Sequence, residues 1–150
     1  METFFAPCPR GLEAVLKDEL DALGASDTAA VDGGVRFAGE LALAYAANLE
    51  SRIASRVLWQ VAHGAYRSER DVFEAVKCLP WSDWFPVSHS IRVDVSAIRA
   101  PVKSLDFVTL RVKDAVCDAF REKLGSRPDV DTHAPDVRIH AFLSATHFTI

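Results

Sequence analysis

Six basic side chains, Arg92, Arg99, Lys103, Lys113, Arg127 and Arg138, recur along the second half of the chain, with Arg67 and Arg111 as outlying members. Lysine and arginine neutralise phosphate oxygens, and the guanidinium plane also stacks on bases. The chemistry open to such a set is recognition of a phosphate-rich surface, and folded RNA, read largely through shape and backbone, suits it. The bland alternative is ordinary solubilising charge, because residues 65–150 carry twelve Lys/Arg and twelve Asp/Glu. Trp81, Trp84 and Phe85 could also stack on bases, but an aromatic turn ahead of a strand fits a core plug better.

Residues for bond-making do not assemble in the same way. No G-x-G occurs, so the sequence has neither a dinucleotide loop nor the glycine-rich loop of a nucleoside-cofactor methyltransferase. A Walker loop, a G-x-S-x-G elbow and a Pro-Pro dipeptide are equally missing. Cys8, Cys78 and Cys117 have no C-x-x-C spacing and the five histidines no H-x-x-x-H spacing, which argues against zinc. His133 and Asp136 share a linker, where a solvated turn contact is the ordinary outcome. Binding, with no complete active site in this chain, is the reading.

Length and charge bound it further. A chain of 150 residues can bury one sizeable core or two small ones, and 49% hydrophobic with 25% charged residues is globular composition. No run of about 18 apolar residues exists, so no membrane span is expected. The N-terminus lacks the basic start and apolar core of a signal peptide. Three widely spaced cysteines suit a reducing cytosol, Cys117 as packing, and the chain reads as soluble and cytoplasmic. Net charge is −4, with residues 1–64 holding five Lys/Arg against nine Asp/Glu. A free-standing nucleic-acid binder is usually basic, so autonomous affinity is expected to be weak.

The elements that position the basic set read as α+β. Phe4-Phe5-Ala6 opens a strand. Leu12, Val15, Leu16, Leu20 and Leu23 recur at helical spacing up to Gly24. Thr28–Val31 and Val35–Phe37 flank a hairpin turn at Asp32-Gly33-Gly34. A helix from Glu40 to about Leu49 and a strand-like stretch from Ile53 to His63 complete β-α-β-β-α-β, the ferredoxin-like order. After a polar break, Ser68 caps a helix carrying Val72, Phe73 and Val76 that ends at Pro80. Ile91, Val93 and Val95 alternate with Arg92, Asp94 and Ser96 as a strand. A helix over 107–124 buries Val108, Val112, Ala115, Val116, Ala119 and Phe120 and turns Arg111, Asp114, Asp118 and Arg121 to water. A second alternating strand, Val137 to Leu143, faces Arg138, His140 and Phe142 the other way. The closing residues His147–Ile150 read as a strand just begun, which suggests a fragment of something longer.

Several blocks, in order, resemble THUMP-bearing 23S rRNA (guanine-N2-)methyltransferases. They are Phe4-Phe5-Ala6 with Arg10-Gly11-Leu12-Glu13, then Leu23-Gly24-Ala25, Gly33-Gly34-Val35-Arg36-Phe37 and Ser51-Arg52-Ile53-Ala54-Ser55-Arg56-Val57. Val112 to Phe120 and Arg127-Pro128-Asp129-Val130-Asp131 through Ala134-Pro135-Asp136-Val137-Arg138-Ile139 continue them. The resemblance implies a ferredoxin-like subdomain over 1–64 and a THUMP RNA-binding domain over 65–150, cut in its last strands, with a family profile starting as early as about residue 43. It implies a targeting module whose S-adenosylmethionine-dependent catalytic domain lies outside this chain, with no cofactor in the chain itself. The expected partners are structured RNA, foremost 23S rRNA, and the module's own C-terminal methyltransferase domain, with neither membrane nor DNA. Two alternatives stay open: a docking module with little RNA role, and the THUMP module of a tRNA-modifying enzyme. The expected RNA contacts are Arg99, Lys103, Lys113, Arg127, Arg92 and Arg138, chosen on residue type and placement.

Overall fold

The structure, a computed structural model, describes residues Met1–Ile150 and divides into two units, Met1–Gln60 and Val61–Ile150. In the first unit the order is β1 (Glu2–Pro7), α1 (Glu13–Ala22), β2 (Ser26–Val31), β3 (Gly34–Gly39), α2 (Leu41–Glu50) and β4 (Leu58–Gln60). The sheet runs β2-β3-β1-β4, antiparallel throughout, with Phe4 opposite both Phe37 and Trp59. Both split β-α-β halves therefore interleave into the ferredoxin-like sheet. Leu16 and Leu20 of α1 are fully buried with Phe4, Val35, Phe37 and Ala47, and Leu23 packs against them. Leu12 and Val15 are exposed, so the apolar stripe of α1 is narrower than its sequence predicts. Leu16, Leu20 and Leu23 share one helical face, and Val15 sits about 100° off it.

The stretch 53–63 does not form one strand. Ser51 Oγ accepts from the Ile53 and Ala54 amides at 3.3 and 3.0 Å, a local turn that competes with extension. Only Leu58–Gln60 joins the first sheet. His63–Ala65 forms β5 of the second unit, so Trp59 packs on the first core and Val61 on the second.

The second unit continues with α3 (Glu69–Lys77), α4 (Trp81–Trp84), β6 (Ile91–Ala97), α5 (Leu105–Leu124), β7 (Val137–Leu143) and β8 (His147–Thr149). Its sheet order is β5-β8-β7-β6. β6 and β7 are parallel, in register from Ile91↔Val137 to Ala97↔Leu143, with α5 as their crossover. At the start of α3 the Asp71 carboxylate accepts from the Arg67 and Ser68 amides at 2.8 and 3.1 Å. Trp81 donates from Nε1 to the Val76 carbonyl at 2.8 Å and is 4% exposed, while Phe85 packs on Phe120 at 5.2 Å. The aromatic turn is a core plug.

α5 begins at Leu105, two residues before the expected start, because Ser104 Oγ caps the Phe107 amide at 3.3 Å. It ends at Gly125, whose φ of +72° suits glycine. Val108, Val112, Ala115, Val116, Cys117 and Phe120 are its buried residues, Ala119 lying at the margin. Arg111 does not turn fully to water; its guanidinium lies 4.1 Å from the Phe73 ring centre on α3.

Candidate functional site

The parallel β6-α5-β7 unit sorts the six basic residues into separate places. Arg99 and Lys103 stand exposed in the loop that leaves the C-terminal end of β6 and enters α5. Arg99 adopts φ +55°, in the left-handed region that non-glycine residues seldom occupy. Arg127 is exposed beyond the other end of α5, and a 20-residue helix spans about 30 Å. Arg127 therefore cannot join Arg99 and Lys103 in one small patch.

Arg92 and Lys113 are brought together. They line an open cleft of about 490 Å³ beside β6, with Val93, Leu110, Val130 and Thr132 among its walls. Arg92 Nε donates to Asp94 at 2.9 Å and its Nη1 to the Thr132 carbonyl at 2.7 Å. Lys113 pairs with Asp114 at 2.6 Å. Both cations of the cleft thus carry a carboxylate, whereas Arg99 and Lys103 form no ion pair. Arg138 points from the sheet face opposite α5, where it is the register partner of Arg92.

The linker after α5 is fixed by its own carboxylates. Asp131 accepts from the Ala134 and His133 amides at 3.1 and 2.8 Å, and those bonds, that of Ala134 foremost, hold its pKa below the ordinary range. Asp136 accepts from the Ser90 amide and hydroxyl at 2.8 and 3.1 Å, with the same consequence. The His133 ring meets the Thr132 hydroxyl at 3.3 Å, and the His133–Asp136 contact allowed by the sequence does not form. The amide of Ile91 donates to Asp129 and that of Asp131 to Ile91, which lays residues 129–131 along the outer edge of β6. The grip of Thr132 on Arg92 had no signal in residue spacing, because it depends on this docking.

No helix is long and apolar enough to cross a membrane, and no group of three or more His, Cys, Asp or Glu could hold a metal ion. The arrangement can present cations to a phosphate-bearing surface at several points around β6, α5 and β7.

Two family profiles match the chain: an RlmL ferredoxin-like domain over residues 3–58 and a THUMP domain over residues 66–150. A protein named ribosomal RNA large subunit methyltransferase K/L from Cellvibrio japonicus is 41% identical over 141 residues, covering 94% of this chain and 19% of that protein. One of the same name from Aeromonas salmonicida is 39% identical, covering 95% of this chain and 20% of that protein. The chain thus spans about a fifth of the length of these curated relatives. Among solved structures, one described as a predicted N6-adenine-specific DNA methylase from Listeria monocytogenes superposes with a TM-score of 0.85 at 28% identity, over 99% of this chain and 39% of that one.

Proposed function

Because the chain belongs to the THUMP-domain family and carries an RlmL-type ferredoxin-like domain ahead of that domain, we propose that it is the RNA-targeting part of a cytoplasmic large-subunit rRNA methyltransferase. The observation that carries the reading is the THUMP match, which spans the unit holding all six basic candidates. On this reading the targeting part holds 23S rRNA, and a catalytic domain outside the 150 residues uses S-adenosylmethionine to methylate a guanine N2 amine. The relatives' names support the rRNA and methyltransferase components. The guanine-N2 and 23S components rest on the resemblance of the sequence blocks.

Arg99 and Lys103 are the leading phosphate contacts, since they are exposed and carry no carboxylate partner. Lys113 and Arg92 act on the flank of α5 and the edge of β6, Arg138 on the opposite sheet face, and Arg127 at the far end of the helix. A titration of the chain against a structured 23S rRNA fragment at two salt concentrations, with duplex DNA as control, tests this. RNA-preferring, salt-sensitive binding is expected. Equal binding to RNA and DNA, or none at low salt, would overturn the reading and leave a docking module.

A further inference from the structure

The sheet of the second unit has two unlike faces. Ile91, Val93, Ile139, Ala141, Leu143 and Phe148 are buried in the core with α3, α4 and α5. Every alternate residue points the other way, and His63, Ala65, Ser96, Arg138, Phe142 and His147 of that side are exposed. The register draws a row straight across all four strands, His63–Thr149–Phe142–Ser96, with Phe142 39% exposed near its centre. An aromatic ring standing on a polar strand face, between a threonine and a serine, is not there to fill a core.

A second aromatic surface lies beside it. The His63 and His147 rings stack with centroids 5.4 Å apart and planes within 10°. The Thr149 hydroxyl meets His63 Nδ1 at 2.9 Å and the Thr146 hydroxyl meets His147 Nδ1 at 2.8 Å, which hold the two rings parallel. His63 and Phe142 are two strand spacings apart, about 10 Å. Charge on this face is cationic or neutralised. Arg138 stands four residues along β7 from Phe142, roughly 13 Å. The one carboxylate among these outward-facing strand residues, Asp94, is held by Arg92, and Asp136 at the edge is held by Ser90.

We infer that this open face is a stacking platform for unpaired nucleobases, with Phe142 and the His63–His147 pair as its two supports and Arg138 meeting the adjoining backbone. The inference rests on the RNA-binding reading and narrows it to single-stranded elements, such as a loop or bulge. Unstacked bases regain on aromatic side chains the stacking they give up on leaving a helix, whereas a duplex offers no free base face to a flat sheet. Phosphate-contacting lysines do not distinguish these two forms.

The test uses the 150-residue chain and one RNA oligomer containing 2-aminopurine, presented single-stranded and annealed to its complement. Wild type is expected to prefer the single strand and to change the 2-aminopurine fluorescence on binding. F142A and H63A should each weaken the single strand about five- to a hundredfold and leave the duplex within about twofold, while F142Y restores binding. Single-strand affinity unchanged in both alanine variants overturns the platform while the RNA-binding reading stands. Equal weakening of both RNA forms also overturns it, as a general loss of fold or charge. Failure of wild type to bind either form overturns the platform and the functional reading together. A photo-crosslinker at position 142 that captures a separately expressed methyltransferase half in preference to the oligomer assigns the face to protein contact, and also overturns the platform.

Discussion

Two neighbouring glycines at the β2–β3 turn are required for different reasons. Gly33 has φ +81° with open space around its missing Cβ, so a side chain there meets only backbone strain. Gly34 has an ordinary φ, but a Cβ would lie 2.5 Å from both the Ala6 carbonyl and the Phe5 ring on the paired strand. Gly33→Ala should cost about 1–2 kcal/mol as left-handed strain. Gly34→Ala should cost about 1–3 kcal/mol, because the paired backbone must move. Urea unfolding of the two variants measures both, and a Gly34→Ala midpoint equal to wild type would refute the close approach. The turn was legible from Asp32-Gly33 alone; the need for Gly34 was not, since it depends on β1, almost thirty residues upstream. Glu13 ties the same turn down: its carboxylate accepts from the Gly11 and Gly33 amides at 2.7 and 3.1 Å. Backbone hydrogen bonds, its own amide foremost and then those of Gly33 and Gly11, lower its pKa. A folded-state pKa below the unfolded one gives stability that is present above the unfolded value, about 4, and lost as pH falls through the folded value. Glu13→Gln should therefore be less stable than wild type at pH 7, with the gap closing below about pH 4.

At the scale of elements, α5 is where sequence periodicity and structure agree best, and the reason is its length. Twenty residues repeat the 3.6-residue pattern often enough that Val108, Val112, Ala115, Val116 and Phe120 can face only one way. Phe120 is fully buried and touches Phe85, so Phe120→Ala should destabilise the second unit by about 3–5 kcal/mol. A denaturation midpoint displaced by much less would show that the α4 turn collapses into the space. Short elements were less legible. β4 and β5 have three residues each, and the β-branched run across 53–63 reads as one strand until Ser51 turns the chain and the two pieces join different sheets. Period-2 alternation carries little information over three residues, and pairing partners decide the outcome. The same limit hid the His63–His147 stack, whose members are 84 residues apart in sequence and meet only through β8.

For the molecule as a whole, the six basic candidates were legible as residue types but not as a surface. Spacing in sequence reports neither that α5 separates Arg127 from Lys103 nor that Asp94 and Asp114 neutralise Arg92 and Lys113. On the proposed reading, that neutralisation orders their contributions to a salt-dependent affinity. Deleting one phosphate-binding cation should reduce the magnitude of the log–log salt slope by about 0.7–0.9, depending on whether the RNA is single- or double-stranded there. Lys103→Ala and Arg99→Ala should each show about that reduction, since no carboxylate shares their charge. Lys113 is the informative case. It is half-buried and paired, so RNA must compete with Asp114 for its ammonium, and the net counterion release is smaller. Asp114→Asn removes the competitor without touching Lys113. If RNA runs along this flank of α5, Asp114→Asn should bind more tightly than wild type at low salt and steepen the slope by up to about one ion. The same substitution combined with Lys113→Ala should abolish that gain. A slope unmoved by Asp114→Asn would take the RNA path off α5 and leave it on the Arg99–Lys103 loop. With a net charge of −4, the chain cannot hold RNA by bulk attraction, so on the proposed reading these few positions carry a measurable share of the binding.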